Sequence, residues 1–283
     1  MIKFFTLSLV IILFSSGECL KADSTFFSTS FFYTHGAYSE SRKSNSFAFY
    51  NTIGITNNIY LIAHYDHLPI KSRDWEYLQQ SFLGGLFVDI FPYYLKFNYA
   101  HYKGKFNYLP VPDEYSDFTN LYSTDLFYYT DGYYFGIAYN YLNLIGETYD
   151  EFGFKGFSKK TVNQLTLRIE KILSYDLFLS LKPSFTKVSD GRVLFSFALM
   201  MHYLLLPEIL IRIGGFAGER AYYFDSDLLT IFNQDPTQKY QAFIQSDFSI
   251  TNDLKFIAAY QHTKFTLFEI NYYIAGIRTS LFL

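Results

Sequence analysis

The chain has 283 residues, of which half are hydrophobic and 22% aromatic, with 28 Tyr and 33 Phe against a single Trp. A net charge of −3, from 23 basic and 26 acidic residues, argues against nucleic acid as a partner. Cys19 is the only cysteine, so no disulfide framework forms within the chain.

The N-terminal segment "MIKFFTLSLVIILFSSGECLKADS" places Lys3 before an apolar run from Phe4 to Phe14, with small and polar residues after it. About eleven apolar residues suit a secretory signal and are too few to cross a bilayer as a helix. Cleavage is expected after Ala22, with a cut after Gly17 as the alternative. That divides the chain into a signal over 1–22 and one domain over 23–283. Glu18 stands where a lipid-attachment signal needs a small residue before Cys19. Past the signal no apolar stretch approaches the length of a membrane helix, so only a closed barrel could span a membrane.

Tyr and Phe favour strands, and amphipathic aromatic rings favour membrane interfaces. Reverse-turn residues punctuate the chain at "TNN" (56–58), "FP" (91–92), "TDG" (130–132), "ILSYD" (172–176), "LPE" (206–208) and "TND" (251–253). Between them lie connections that read as longer: "GAYSESRKS", "PIKSRDW", "GKFNYLPVPDEYSD", "GETYDEFGFKGFSKK", "SDGR", "YYFDSDLLTIFNQDPTQ" and "FTLF". Tight turns at one end and longer external loops at the other are the asymmetry of outer-membrane barrels. The expected fold is therefore all-β, a closed antiparallel transmembrane barrel of about 14 strands, within a range of about 12 to 16, with both termini periplasmic.

The stretch from Lys159 to Lys187 shows the alternation best. Leu165, Leu167 and Ile169 fall on one face and Gln164, Thr166, Arg168 and Glu170 on the other. After a short break, Leu177, Leu179, Leu181 and Phe185 oppose Ser180, Lys182, Ser184 and Thr186. A soluble sandwich and a membrane barrel both contain such hairpins, with the burial of the two faces reversed. The last strand, "NYYIAGIRTSLFL", sends Tyr273, Ala275, Ile277, Thr279, Leu281 and Leu283 toward lipid and Gly276, Arg278 and Ser280 inward, and carries Phe282 one residue from its end.

In a barrel the inward set includes Lys96, Arg168, Glu170, Lys182, His202, Arg212, Asp247, Lys255 and Arg278, which are the candidate selectivity residues. Asp66, Asp89, Asn98, Asp125, Ser196, Gln245 and Gln261 join them. These charges either pair across strands and fill the interior or line open water and select ions. Lys96, Lys182, Arg212 and Lys255 lie near tight turns, which suggests a basic band at the periplasmic end.

A lipid-modifying enzyme needs a nucleophile beside a base. Ser196 and His202 share an inner face but stand about 20 Å apart along one strand. His64 and Asp66 could form a dyad, although an interior salt bridge or hydrogen bond explains them as well. His67, His101 and His262 read as lipid-facing near the outer rim. The acidic stretches "PDEYSD" (112–117) and "DSD" (225–227) form no complete calcium loop and read as solvated external loops. "GGFAG" (214–218) is followed by no helix, so it reads as a bulge or a crowded, curved strand rather than a phosphate cradle. No cofactor or metal motif is expected.

The segments "YYFGIAYNYL", "LFLSLKPSFTKVSDGRVLFSFALMMHYLL" and "ILIRIGGFAGERAYYFD", within residues 133–225, resemble YaiO-type outer-membrane barrels. Lys182 stands where that pattern often has Arg, and "MMHYLLLPE" replaces a more basic stretch. The resemblance implies an outer-membrane protein found with polysaccharide biosynthesis or export components, and it supplies no catalytic residue. Together these readings give a passive or export-associated conduit for small polar solutes or a polysaccharide. A plugged barrel with a structural or assembly role is the alternative, and a lipid-modifying enzyme is a third. Outer-membrane lipid and the barrel-assembly machinery are the expected partners.

Overall fold

A computed structural model describes residues 26–108, 114–149, 155–232 and 236–282. The expected signal, its cleavage site, Cys19 and the terminal Leu283 lie outside the described residues.

The strands, in chain order, are β1 (Phe26–Tyr38), β2 (Lys43–Thr56), β3 (Ile59–Lys71), β4 (Trp75–Ile90), β5 (Tyr93–Tyr108), β6 (Glu114–Thr130), β7 (Tyr133–Tyr149) and β8 (Lys155–Ser174). They continue with β9 (Leu177–Val188), β10 (Val193–Leu206), β11 (Ile209–Arg220), β12 (Tyr223–Asp225), β13 (Thr230–Phe232), β14 (Gln238–Ser249), β15 (Leu254–Phe265) and β16 (Glu269–Phe282). Fourteen of them close into an antiparallel barrel in which each pairs with its chain neighbour, β11 pairs with β14, and β1 seals against β16. β12 and β13 pair only with each other.

Burial is inside out, and this separates the barrel from a sandwich. Gln164, Thr166, Arg168 and Glu170 are buried, whereas Leu165, Leu167 and Ile169 are about 40% exposed. The same reversal holds on β9, where Ser180, Lys182, Ser184 and Thr186 are buried and Phe185 is exposed. Apolar side chains with no protein cover require hydrocarbon around them. Exposed rings flank that zone: Phe91, Tyr93, Tyr128 and Tyr175 at the tight-turn end, and Tyr33, Phe47, Tyr99, Tyr122, Tyr139 and Tyr260 toward the other. All six tight turns expected from the sequence fall at one end, together with the start of β1 and the end of β16.

Two connections are shorter than the sequence suggested. β5 and β6 extend to Tyr108 and from Glu114, and β7 and β8 to Tyr149 and from Lys155, so "GKFNYLPVPDEYSD" and "GETYDEFGFKGFSKK" lie mostly in strands. Their alternation continues past the loop-forming residues, and cross-strand pairing runs on with it. The asymmetry of the barrel is thus carried by taller strands and by a single long connection, between β11 and β14.

"GGFAG" is strand β11, and its glycines serve close packing. A Cβ on Gly215 would lie 2.0 Å from the Gln241 carbonyl oxygen. Gly218 has φ +106° where the β11–β14 register shifts between Ala217 and Arg220, the bulge the sequence suggested.

Candidate functional site: the occluded lumen

The inner wall is graded from apolar to charged. One register row runs across six consecutive strands, Leu83–Ala100–Leu121–Leu142–Val162–Val188, and all six side chains are buried. The next row toward the tight turns is polar: Asn98, Ser123, Asn140, Gln164 and Thr186. Below it stand the charges: Lys96 opposite Asp125, then Arg168 and Lys182. The apolar row went unremarked in the sequence because each strand contributes a single member to it, most of them beside at least one polar inward residue. Only cross-strand register lines them up.

The connection between β11 and β14 folds into the barrel. Tyr222, Phe224 and Leu229 are buried against the apolar row, in one cluster with Leu83, Leu121, Leu142, Val162 and Leu194. The Gln164 side chain completes the fit as a strand would: its Nε2 donates to the Phe224 carbonyl at 2.9 Å, and the Phe224 amide donates to its Oε1 at 3.0 Å. Lys160 Nζ donates to the Tyr222 hydroxyl at 2.9 Å. Arg220, at the hinge, donates through Nε to Ser196 Oγ at 2.8 Å, and its guanidinium stacks 3.9 Å from the Tyr223 ring centre.

The hairpin tip reaches the charged layer. Asp227 is paired with Arg168 Nη2 at 2.7 Å and with Lys182 Nζ, while Lys96 Nζ donates to the Ser226 carbonyl. Glu170 holds the other side of Arg168 at 3.2 Å. Asp225 shapes the turn by accepting the Asp227 amide at 3.0 Å and the Leu228 amide at 3.3 Å. Burial pushes the Asp227 carboxyl upward, but Lys182, Arg168 and Lys96 together outweigh it and hold the group well below the ordinary carboxylate range. "DSD" is therefore a lumen anchor, which corrects the sequence expectation of a solvated external loop. In "PDEYSD", the inward Asp117 accepts a hydrogen bond from the Tyr77 hydroxyl at 3.2 Å, and residues 112–113 lie outside the described region.

All nine candidate selectivity residues lie on inward-facing positions, but the structure divides them. Arg168, Glu170, Lys182 and Lys96 engage one another or the hairpin tip. Arg212 pairs with Asp247 at 3.0 Å, and His202 packs on Phe178 with ring centres 5.2 Å apart. Lys255 and Arg278 are directly opposite on β15 and β16, and Arg278 Nε donates to Ser30 Oγ at 3.1 Å. The expected periplasmic basic band of Lys96, Lys182, Arg212 and Lys255 thus divides into the hairpin anchors Lys96 and Lys182 and, apart from them, Arg212 on Asp247 and Lys255 opposite Arg278.

Neither candidate catalytic arrangement is assembled. Ser196 is taken by Arg220. His64 stacks on Tyr50 with ring centres 4.1 Å apart, and neither of its ring nitrogens hydrogen-bonds a protein group. At the outer mouth, Arg42 lies 4.8 Å over the Phe268 ring and 5.5 Å from that of Trp75, beside buried Tyr38, Ile70, Phe265 and Ile270. A hollow of about 560 Å³ between Tyr33, Tyr260 and Tyr273 opens on the outside of the wall, away from the lumen.

Inverted burial, aromatic girdles, and the start of β1 and end of β16 on the tight-turn side settle the setting. The chain is an outer-membrane β-barrel. Solved structures share the fold. The toluene transporter TodX of P. putida superposes with a TM-score of 0.53 at 8% identity over 92% of this chain and 89% of that one. The monoaromatic hydrocarbon channel CymD gives 0.56 at 8% over 91% and 88%, and the toluene transporter TbuX of Ralstonia pickettii 0.52 at 10% over 91% and 88%. No protein-family model and no curated protein sequence matches the chain.

Proposed function

We propose that the protein is a gated outer-membrane conduit for small solutes, shut in this conformation by the hairpin between β11 and β14. The observation that carries this reading is the Asp227 anchor on Arg168 and Lys182. The tip is held by a few charge-assisted contacts, whereas the wall behind it is complete without it. Withdrawal of the hairpin would uncover the apolar row from Leu83 to Val188 above the polar and charged rows. That gradient suits a solute with apolar surface at the outer entrance. The hydrocarbon channels that share the fold are consistent with it.

The same contacts support a permanently plugged barrel with a structural or assembly role, and conductance separates the two. Residues 222–231 would be replaced by a short Gly-Ser linker and the protein reconstituted in planar bilayers. The variant gains conductance of a defined size if the hairpin is what closes the lumen, and brief openings of that same size by the native protein separate a gate from a permanent plug. A folded variant as silent as the native protein would end the conduit reading. No catalytic role is part of this proposal, since Ser196 accepts a hydrogen bond from Arg220 and His64 is stacked on Tyr50. The YaiO-type resemblance of residues 133–225 supports the same envelope setting and adds polysaccharide export components as proposed partners, testable by co-purification.

A further inference from the structure

One row nearer the outer mouth than the apolar row, the inner wall turns polar again. Asp66, Ser81, Tyr102 and Thr119 stand side by side on β3, β4, β5 and β6, and His64 lies two residues from Asp66, directly opposite Leu83. His64, Ser81 and Tyr102 are 6%, 1% and 2% exposed. Even so, the Ser81 and Tyr102 hydroxyls and both His64 ring nitrogens have no hydrogen-bond partner. Buried polar groups are ordinarily satisfied, so four such atoms on three neighbouring strands mark a place for a group that the protein itself does not supply.

The charge at the centre of this place is Asp66. Its carboxylate has the His67 amide as a donor and, among the described residues, no ion-pair partner. The Tyr50 and Tyr102 hydroxyls both lie within its electrostatic reach, and Tyr50 also meets Thr230 of β13. From β1 to β6 the inward positions on the loop side of the apolar row carry no lysine or arginine among the described residues. Arg42, at the mouth, is paired with Glu40. The next inward carboxylate, Asp117, is held by the Tyr77 hydroxyl at 3.2 Å. A carboxylate taken out of water is costly unless a cation stands beside it. Asp66 is only partly buried and lies on the loop side of the hairpin, which packs on the row below.

We infer that the wall around Asp66 binds the protonated amine of an amphipathic solute, with the ammonium group on the Asp66 carboxylate. An ammonium brings both the missing positive charge and several N–H donors, which the hydroxyl oxygens of Ser81 and Tyr102 and an imidazole nitrogen of His64 can accept. An anion is repelled here, and an alcohol brings one donor and no charge. Among the described residues no group of three His, Cys, Asp or Glu is placed to hold a metal ion, which favours an organic cation. Taken with the conduit reading, on which this last step rests, Asp66 is where the solute docks ahead of the gate, its apolar body one row from the surface between Leu83 and Val188.

The test is isothermal titration calorimetry of the full-length protein in nonionic detergent with 2-phenylethylamine, 2-phenylethanol and phenylacetate, which share an aromatic body and differ in the charge of the head. The native protein should bind the amine about tenfold more tightly than the alcohol, and phenylacetate no better than the alcohol. Asp66→Asn should lose that tenfold while its affinity for the alcohol stays level, and Asp176→Asn, in the exposed turn before β9, should keep the preference. Equal affinity of the native protein for amine and alcohol, or an undiminished preference in Asp66→Asn, would overturn the assignment. If the native protein binds none of the three, the variant with residues 222–231 replaced is titrated, and the same silence there also overturns it. Folding is checked by the heat-dependent gel shift. If Asp66→Asn does not fold, Tyr102→Phe, which removes the hydroxyl beside the carboxylate, should weaken the amine and leave the alcohol unchanged. Binding is read without conductance, so a silent channel ends the conduit reading and leaves this site standing, whereas equal affinities end the site and leave the gate.

Discussion

Removing the Asp227 carboxylate is the sharpest probe of the gate. In Asp227→Ala the hairpin keeps its Gln164 hydrogen bonds and its apolar contacts, and Arg168 keeps Glu170 at 3.2 Å. Lys182 alone loses its carboxylate partner. Breaking a buried ion pair from one side costs about 3–5 kcal/mol, because the remaining charge stays desolvated. The Asp227 side chain is 26% exposed, so the lower end applies, about 3 kcal/mol in favour of the open form. At about 1.4 kcal/mol per factor of ten, the open-to-closed ratio should rise on the order of 100-fold. Single-channel recording reads this directly as open probability. A second substitution, Lys182→Met, removes the stranded cation and should return much of the closure, since a buried pair replaced by apolar groups is often close to neutral. An Asp227→Ala protein that folds and inserts but opens no more often than the native one would refute the anchoring role.

The pH response and the strand packing give two further checks. Because the Asp227 carboxyl sits below its ordinary range, its contribution to closure is complete above about pH 4 and is lost only as pH falls through the depressed value. The charged groups around it are Lys182, Arg168, Glu170, Lys96, Asp125 and Asp225. Open probability should therefore stay level from pH 8 to pH 5, and a rise within that interval would show that another group controls the gate. Gly215→Val should weaken the β11–β14 seam by about 1–3 kcal/mol, since even its Cβ would lie 2.0 Å from the Gln241 carbonyl oxygen. A lower midpoint in the heat-dependent gel shift is the expected outcome, and an unchanged midpoint would mean that the seam yields without strain.

Local pattern was enough for the strands and their faces, while the choice of a barrel over a sandwich rested on features taken from the whole chain. Period-two alternation assigns each side chain to a face, so the outward direction of Leu165, Leu167 and Ile169 and the inward direction of Arg168, Glu170 and Lys182 were legible from one segment. Turn residues at 56–58, 91–92, 130–132, 172–176, 206–208 and 251–253 divided the strands correctly because turn chemistry is also local. The His67, His101 and His262 positions followed from the same parity. What parity leaves undetermined is what meets in the middle.

The gate belongs to that second kind. "YYFDSDLLTIFNQDPTQ" is polar and aromatic in the way of an external loop, and nothing within it announces that Phe224 will pair with Gln164, sixty positions earlier. The row from Leu83 to Val188 has the same character: each member is one ordinary apolar residue on its strand, and only the register of six strands makes them a surface. Sequence alone determined the faces of the strands, their approximate number and the end at which they turn, because these follow from interactions between near neighbours in the chain, and ring closure fixed the count at fourteen. Tertiary structure decided that the lumen is filled and by what, because those contacts join distant segments once ring closure has placed the strands around one axis.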